Sequence, residues 1–225
     1  MNNNNNIHFV MLGDSVFDNG SYIPGEPAVE EQVSEQLKFL YPDATLTFKA
    51  RDGAVMSDVL DRQIQLIPEE ATHIALSIGG NDLLDLRGNL GDMVGTRFQE
   101  NLIFLSKLKQ EFAEKFRRVI NNIDSLGIPF TVCTIYYAGS IVETGEKRID
   151  LGDQLGFAGT DVVVDAFDAA ITQVSQKAEN CKEIIDLRIL FDNTNCYANP
   201  IEPSCIGGEK ITDQLMGFIQ MWSNG

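Results

Sequence analysis

The sequence predicts an α/β fold of three layers, a mostly parallel sheet covered by helices on both faces. Two observations carry this. Strand-length apolar runs alternate along the chain with segments of helical periodicity, and that alternation demands right-handed crossovers between parallel strands. The main runs are also apolar on successive residues, as in strands buried on both sides. The 225 residues show no repeat, linker or shift of composition, so a single domain spanning 1–225 is expected.

Ile7–Leu12 (IHFVML) is the first buried strand and ends in the turn Gly13-Asp14-Ser15. Ala28–Leu40, opened by Pro27, places Val29, Val33, Leu37 and Leu40 close to helical spacing. Thr45–Phe48 is a brief strand, and Ser57–Ile67 a helix capped by Ser57 and ended before Pro68. Thr72–Ile78 (THIALSI) is a strand closed by Gly79-Gly80. Arg97–Leu126 is a long amphipathic helix with Phe98, Leu102, Leu105 and Phe112 on its apolar face. Pro129–Ile135 is a core strand, Asp161–Lys177 a helix, Glu183–Leu187 a strand and Ile211–Trp222 the closing helix.

Composition narrows the function. Apolar residues make up 44% and charged residues 22%, the mix of a globule with a sizeable core. Lys+Arg 17 against Asp+Glu 33 gives a net charge of −16, which repels phosphate backbones and anionic lipid. Nucleic-acid and membrane-surface partners are therefore not expected, and a small-molecule substrate is. No apolar run approaches the roughly 20 residues of a membrane helix. Met1–Asn6 is an uncharged Asn-rich stretch without the marks of a signal peptide, so a cytoplasmic location is expected, with a trimmed secreted form as the alternative. Cys133, Cys181, Cys196 and Cys205 lack CxxC spacing, which points to free thiols, with a Cys196–Cys205 bridge as the alternative. With two histidines distant in sequence, neither a metal nor another cofactor is expected.

In parallel α/β sheets ligands bind beyond the carboxyl ends of the strands. Three such loops carry unusual residues. Gly13-Asp14-Ser15, continuing Phe17-Asp18-Asn19-Gly20, offers a hydroxyl at the sheet edge or a simple turn. Ala50-Arg51-Asp52-Gly53-Ala54 offers an unshielded backbone N–H, or a plain turn glycine. Gly79-Gly80-Asn81-Asp82 offers a close backbone approach and a neutral amide donor, or a turn with a left-handed Asn.

Taken together and in this order, GDS with FDNG, a loop glycine, and GGND resemble the GDSL, or SGNH, hydrolase family of serine esterases and lipases. The resemblance implies a flavodoxin-like α/β/α sandwich and hydrolysis of short-chain acyl or acetyl esters without a cofactor. Residue by residue, it makes Ser15 the nucleophile and assigns the oxyanion hole to Gly53, Asn81 and the backbone N–H of Ser15.

The family's fourth block, Asp-x-x-His followed by Pro-Ser and glycine, is altered. The matching segment is Asn199-Pro200-Ile201-Glu202-Pro203-Ser204, then Gly207-Gly208, so Asn199 stands at the Asp and Glu202 at the His. Neither histidine can substitute. His8 opens the first strand and lies up to roughly 20 Å from Ser15 along an extended chain, and His73 opens its own strand in the same way. The paired change is coherent. Two adjacent carboxylates would oppose each other's ionisation, whereas Asn199 can donate a hydrogen bond to Glu202. The expectation is an esterase with an atypical Ser15–Glu202 arrangement oriented by Asn199. The alternative is a weak or inactive binding protein of the same fold for an acyl, sugar or peptide ligand. Arg51, two residues before Gly53, is a possible further site residue. It would lower the pKa of a nearby Glu202, stabilise an oxyanion or bind a substrate carboxylate, or else pair with Asp52, Asp58 or another surface acid. Phe17, Tyr22, Tyr136, Tyr137 and Phe157 are candidates for apolar pocket walls.

Overall fold

The computed structural model describes residues 6–85, 98–138 and 160–223. Phe157 and Arg97 lie outside them. Five parallel strands form one sheet in the order β2-β1-β3-β4-β5: β1 is His8–Gly13, β2 Thr45–Phe48, β3 His73–Ser77, β4 Phe130–Cys133 and β5 Cys181–Ile185. This is the doubly wound order that places a ligand site where β1 and β3 meet.

Alternation along the strands builds a core on each face. Val10, Leu12, Ile74, Leu76, Phe130 and Val132 face one way. They meet the 56–66 segment, helix α4 (Phe98–Asp124) and helix α5 (Thr160–Ser175), which contribute Met56, Val59, Phe112, Phe116, Phe167 and Ile171. Phe9, Met11, Ala75, Cys133 and Ile185 face the other way. There α1 (Val29–Leu40) and the closing helix α7 (Cys205–Trp222) pack against each other, with Val33, Leu37, Ile211, Leu215 and Phe218 in the layer. The expected α/β fold with a parallel sheet flanked by helices is present.

Several expected boundaries shift for local reasons. Ser57 does not cap the 56–66 segment: Val55 is the N-cap, and the Asp58 carboxylate accepts its N–H at 3.1 Å. The segment is then not one regular helix. It passes from α2 (Met56–Asp58) through a π-turn at Val59–Gln63 to a 3₁₀ turn at Ile64–Leu66. β5 stops at Ile185 because Asp186 caps a short helix, α6 (Leu187–Leu190), accepting Arg188 N–H at 3.1 Å. α7 begins six residues before Ile211 because Ser204 caps it, its hydroxyl accepting Gly207 N–H at 3.1 Å. On α4, Phe112 is buried, but Leu102 is 51% exposed and lies off the core face. Phe17 is fully buried in the core and is no pocket wall.

All four cysteines are free thiols, so the Cys196–Cys205 bridge does not form. Among the described residues, no helix is long and apolar enough to cross a membrane, and no cluster of His, Cys, Asp or Glu could hold a metal ion.

Candidate active site

The loops after β1, β2 and β3 are tied together at the carboxyl edge of the sheet. Asp14 N–H donates to Ser77 O at 3.1 Å, joining the β1 and β3 ends. Arg51 N–H donates to Gly13 O at 3.0 Å, and Asp52 N–H to Asp18 Oδ2 at 2.9 Å. The Asn81 side chain, in the first turn of α3 (Gly80–Asp85), donates to Ala54 O at 3.0 Å. Its neighbour Asp82 accepts Met56 N–H at 3.0 Å. The loops that carry Gly53 and Asn81 are thus fixed to each other.

Gly13 makes the closest approach in this frame. Its φ is +134°, and a Cβ there would sit 1.8 Å from Ser77 O. Gln63 reaches across to clamp the same peptide, accepting Gly13 N–H at 2.7 Å and donating to Gly13 O at 2.9 Å.

Ser15 follows at once and is 7% exposed. Its hydroxyl donates to Glu202 Oε1 at 3.1 Å, across 187 residues of sequence. Glu202 lies on β7 (Glu202–Pro203), a two-residue strand antiparallel to β6 (Tyr197–Asn199). It is 5% exposed, and its Oε2 has no hydrogen-bond partner among the described residues.

Burial pushes the Glu202 carboxyl up to about 7; the Asp52 charge adds to the rise and the Ser15 hydrogen bond opposes it. Asp14 is pushed up to about 8, mainly by burial, against a hydrogen bond from Val16 N–H and with help from the Glu202 and Asp82 charges. Neither the burial of Asp14 nor the bonds from Asn19 to Pro203 O and from Tyr136 to Ile201 O follow from periodicity. Asp14 reads as a turn residue in sequence, and only its burial on the strand end marks it as a proton-holding group.

Two expectations about neighbours are corrected. Asn199 does not donate to Glu202. Its Oδ1 accepts Ile201 N–H at 3.0 Å, an Asx turn that shapes the bend between β6 and β7. Arg51 is exposed and its guanidinium donates to Ala50 O at 3.1 Å. Neither Asp52 nor Asp58 pairs with it: Asp52 accepts the Tyr22 hydroxyl at 2.9 Å and Asp58 lies 3.8 Å from Arg62. The charge acting on Glu202 is that of Asp52, not Arg51, and it acts upward.

The histidines are structural, as expected. His8 Nε2 lies 2.7 Å from Thr47 Oγ1 and His73 Nδ1 2.9 Å from Thr72 Oγ1. Phe9 is in register with His73, so both rings sit at the amino ends of their strands, opposite the Ser15 edge. Of the other pocket candidates, Tyr136 is buried, and Tyr137 donates to Asp165 at 2.6 Å.

The strand order and the helices on both faces make a three-layer α/β fold around a five-stranded parallel sheet. No family model and no curated protein sequence matches the chain. Solved structures do match. Phospholipase A1 from Streptomyces albidoflavus NA297 superposes with a TM-score of 0.66 at 15% identity, over 96% of this chain and 98% of that one. The extracellular lipase of Streptomyces rimosus gives 0.64 at 14% identity, over 96% and 99%. Axe2, an acetylxylan esterase from Geobacillus stearothermophilus, gives 0.62 at 16% identity, over 95% and 94%. The likeness extends nearly end to end on both sides, and at these identities it is a likeness of fold.

Proposed function

We propose that the chain is a serine ester hydrolase in which Ser15 is the nucleophile and Glu202, in place of an imidazole, is the general base. One observation carries the reading: a serine hydroxyl 3.1 Å from a buried carboxylate held near neutrality, at the ligand-binding edge of the sheet. A base must lie within about 2.6–3.2 Å of the proton it takes and titrate near the working pH.

Ser15 Oγ attacks the ester carbonyl carbon as its proton passes to Glu202 Oε1. The carbonyl oxygen takes the negative charge and is met by Gly53 N–H, the Asn81 amide and the Ser15 N–H. The tetrahedral adduct collapses, the C–O bond to the alcohol breaks, and Glu202 returns its proton to the departing oxygen. Water then attacks the acyl–Ser15 ester as Glu202 takes its proton; the acyl C–Oγ bond breaks, the carboxylic acid leaves, and Glu202 returns the proton to Ser15 Oγ. Short-chain acyl or acetyl esters are the proposed substrates, in keeping with the esterases and lipases of like fold.

With a carboxylate in place of an imidazole, and no donor from Asn199 to orient it, slow turnover is expected. That same feature favours the second reading, a binding protein that uses the pocket without chemistry. The test is hydrolysis of p-nitrophenyl acetate by the wild type and Ser15→Ala, with labelling by a serine-directed fluorophosphonate. Ser15-dependent hydrolysis and labelling support the esterase. Equal rates and no labelling favour binding alone.

A further inference from the structure

Residue 202 is gripped on both sides through its backbone. The carbonyl of Ile201 accepts the Tyr136 hydroxyl, and the carbonyl of Pro203 accepts the Asn19 side-chain N–H at 3.0 Å. The two donors come from different strand ends, Asn19 from the loop that carries Ser15 and Tyr136 from the segment after β4.

Both donors are themselves fixed. Asn19 is fully buried, and its Oδ1 accepts Val29 N–H at 3.0 Å, which holds the amide to the start of α1. Tyr136 is 8% exposed, stacked on Phe191 with ring centroids 4.7 Å apart and edge-on to Tyr197 at 5.8 Å. Tyr197 in turn donates its hydroxyl to Tyr137 O at 2.9 Å.

The need for such a grip is physical. A two-stranded ribbon alone is marginally stable, and β7 has two residues. The Glu202 carboxyl has one hydrogen bond, to Ser15, and its other oxygen has none among the described residues. The side chain therefore cannot locate itself by its own contacts, and its place must come from the backbone.

We propose that Tyr136 and Asn19 are positioning residues that set the Glu202 carboxyl against the Ser15 hydroxyl, one through each flanking carbonyl. This rests on the reading of Ser15 and Glu202 as the working pair. Asn19 links the nucleophile's own loop to the base's strand, so motion of one carries the other. Tyr136 links the base's strand to the segment that follows β4, the strand beside the central β3.

The experiment measures the Ser15–Glu202 coupling directly, without need of a substrate. The Glu202 carboxyl is titrated by carbon-13 NMR in the wild type, Ser15→Ala, Tyr136→Phe and the double variant. Tyr136→Phe removes only the hydroxyl and keeps the ring stack. Loss of the Ser15 hydrogen bond raises the Glu202 pKa in the wild-type background. In the Tyr136→Phe background the same change has a clearly smaller effect, because the pair is already loosened. An equal rise in both backgrounds overturns the positioning role of Tyr136. No rise in the wild-type background overturns the Ser15–Glu202 pair itself, and with it the functional reading. Asn19→Ala gives the second arm, read in the same way. On p-nitrophenyl acetate, Tyr136→Phe lowers kcat about tenfold with KM little changed, and has no further effect once Glu202 is Gln.

Discussion

Asp14 and Glu202 are two buried carboxyls whose charges oppose each other, one beside the proposed nucleophile in sequence and one bonded to it in space. Both are raised, to about 8 and about 7, so the folded chain holds these protons more tightly than the unfolded chain does. Their stabilising contribution is complete below the ordinary carboxylate range. It is lost as pH rises through about 7 and 8. The base, by contrast, works only when ionised. Activity should therefore rise with pH through about 7 while stability falls over the same interval. Urea midpoints and kcat/KM measured between pH 5 and pH 9 check both signs. Midpoints that climb with pH across this window would contradict the burial assigned to them.

Replacing Glu202 separates base from scaffold. Glu202→Gln keeps the shape and can still meet the Ser15 hydroxyl, but it cannot take a proton. A general base is worth about 10²–10⁴-fold, so kcat/KM should fall by at least about 100-fold, and the rise in activity near pH 7 should vanish with it. The stability lost on raising the pH should shrink in the same variant. Glu202→His supplies an imidazole at the position the family resemblance gives to the base and should raise the rate where the pocket admits the ring. Both are read from p-nitrophenyl acetate kinetics over the pH range. An unchanged rate in Glu202→Gln would remove Glu202 from the base role.

Much of this site was legible because three loops follow three recognisable strands. The apolar runs of β1 and β3 and their terminal glycines placed Ser15 and Asn81 at one edge, and the Pro203-Ser204 register placed Glu202 with them. What escaped the sequence is tertiary. β6 and β7 are too short to show a period. The donors to Ile201 O and Pro203 O come from Tyr136 and Asn19, far from Glu202 in sequence and adjacent only in the fold. The cap at Val55 failed to show because Asp58 competes with Ser57 for the same helix start, and a carboxylate reaching back three residues outweighs a hydroxyl in the first turn. Asn199 was read as an acid-to-amide swap serving Glu202. Its oxygen accepts Ile201 N–H in an Asx turn, and neither Glu202 oxygen accepts from its NH2.

Two of the three proposed oxyanion donors, Asn81 and Gly53, should respond differently to truncation, because one is a side chain and the other is backbone. Asn81→Ala removes the amide outright. Loss of one such donor costs about 10²–10³-fold in kcat, and the bond to Ala54 O goes too, at about 1 kcal/mol of stability. Gly53→Ala keeps the backbone N–H. Gly53 has φ +76°, and a Cβ there meets nothing within 4 Å. The substitution should therefore cost about 1–2 kcal/mol in backbone strain and leave kcat within a few-fold of wild type. Kinetics and denaturant midpoints on both variants check this. A Gly53→Ala enzyme as slow as Asn81→Ala, while still folded, would show that its side of the pocket tolerates no Cβ beside the substrate.

Gly13 tests the frame on which all of this stands. Its peptide is held by Gln63 from both sides, and the next residue's N–H meets Ser77 O at 3.1 Å. An alanine here would place a methyl 1.8 Å from that same carbonyl, at φ +134°. Backbone cannot yield as a flexible side chain can, so β1 and β3 would have to part at the edge where Ser15 begins. Gly13→Ala should cost more than about 4 kcal/mol, a large part of the roughly 5–15 kcal/mol that keeps most domains folded. Gly25→Ala is the matched control. Its φ of +88° is also left-handed, but nothing lies within 4 Å of the new methyl, so it should cost only about 1–2 kcal/mol. Thermal unfolding followed by circular dichroism distinguishes the two. Comparable melting temperatures for both would mean that strain alone, and not the contact with Ser77, governs the β1 end.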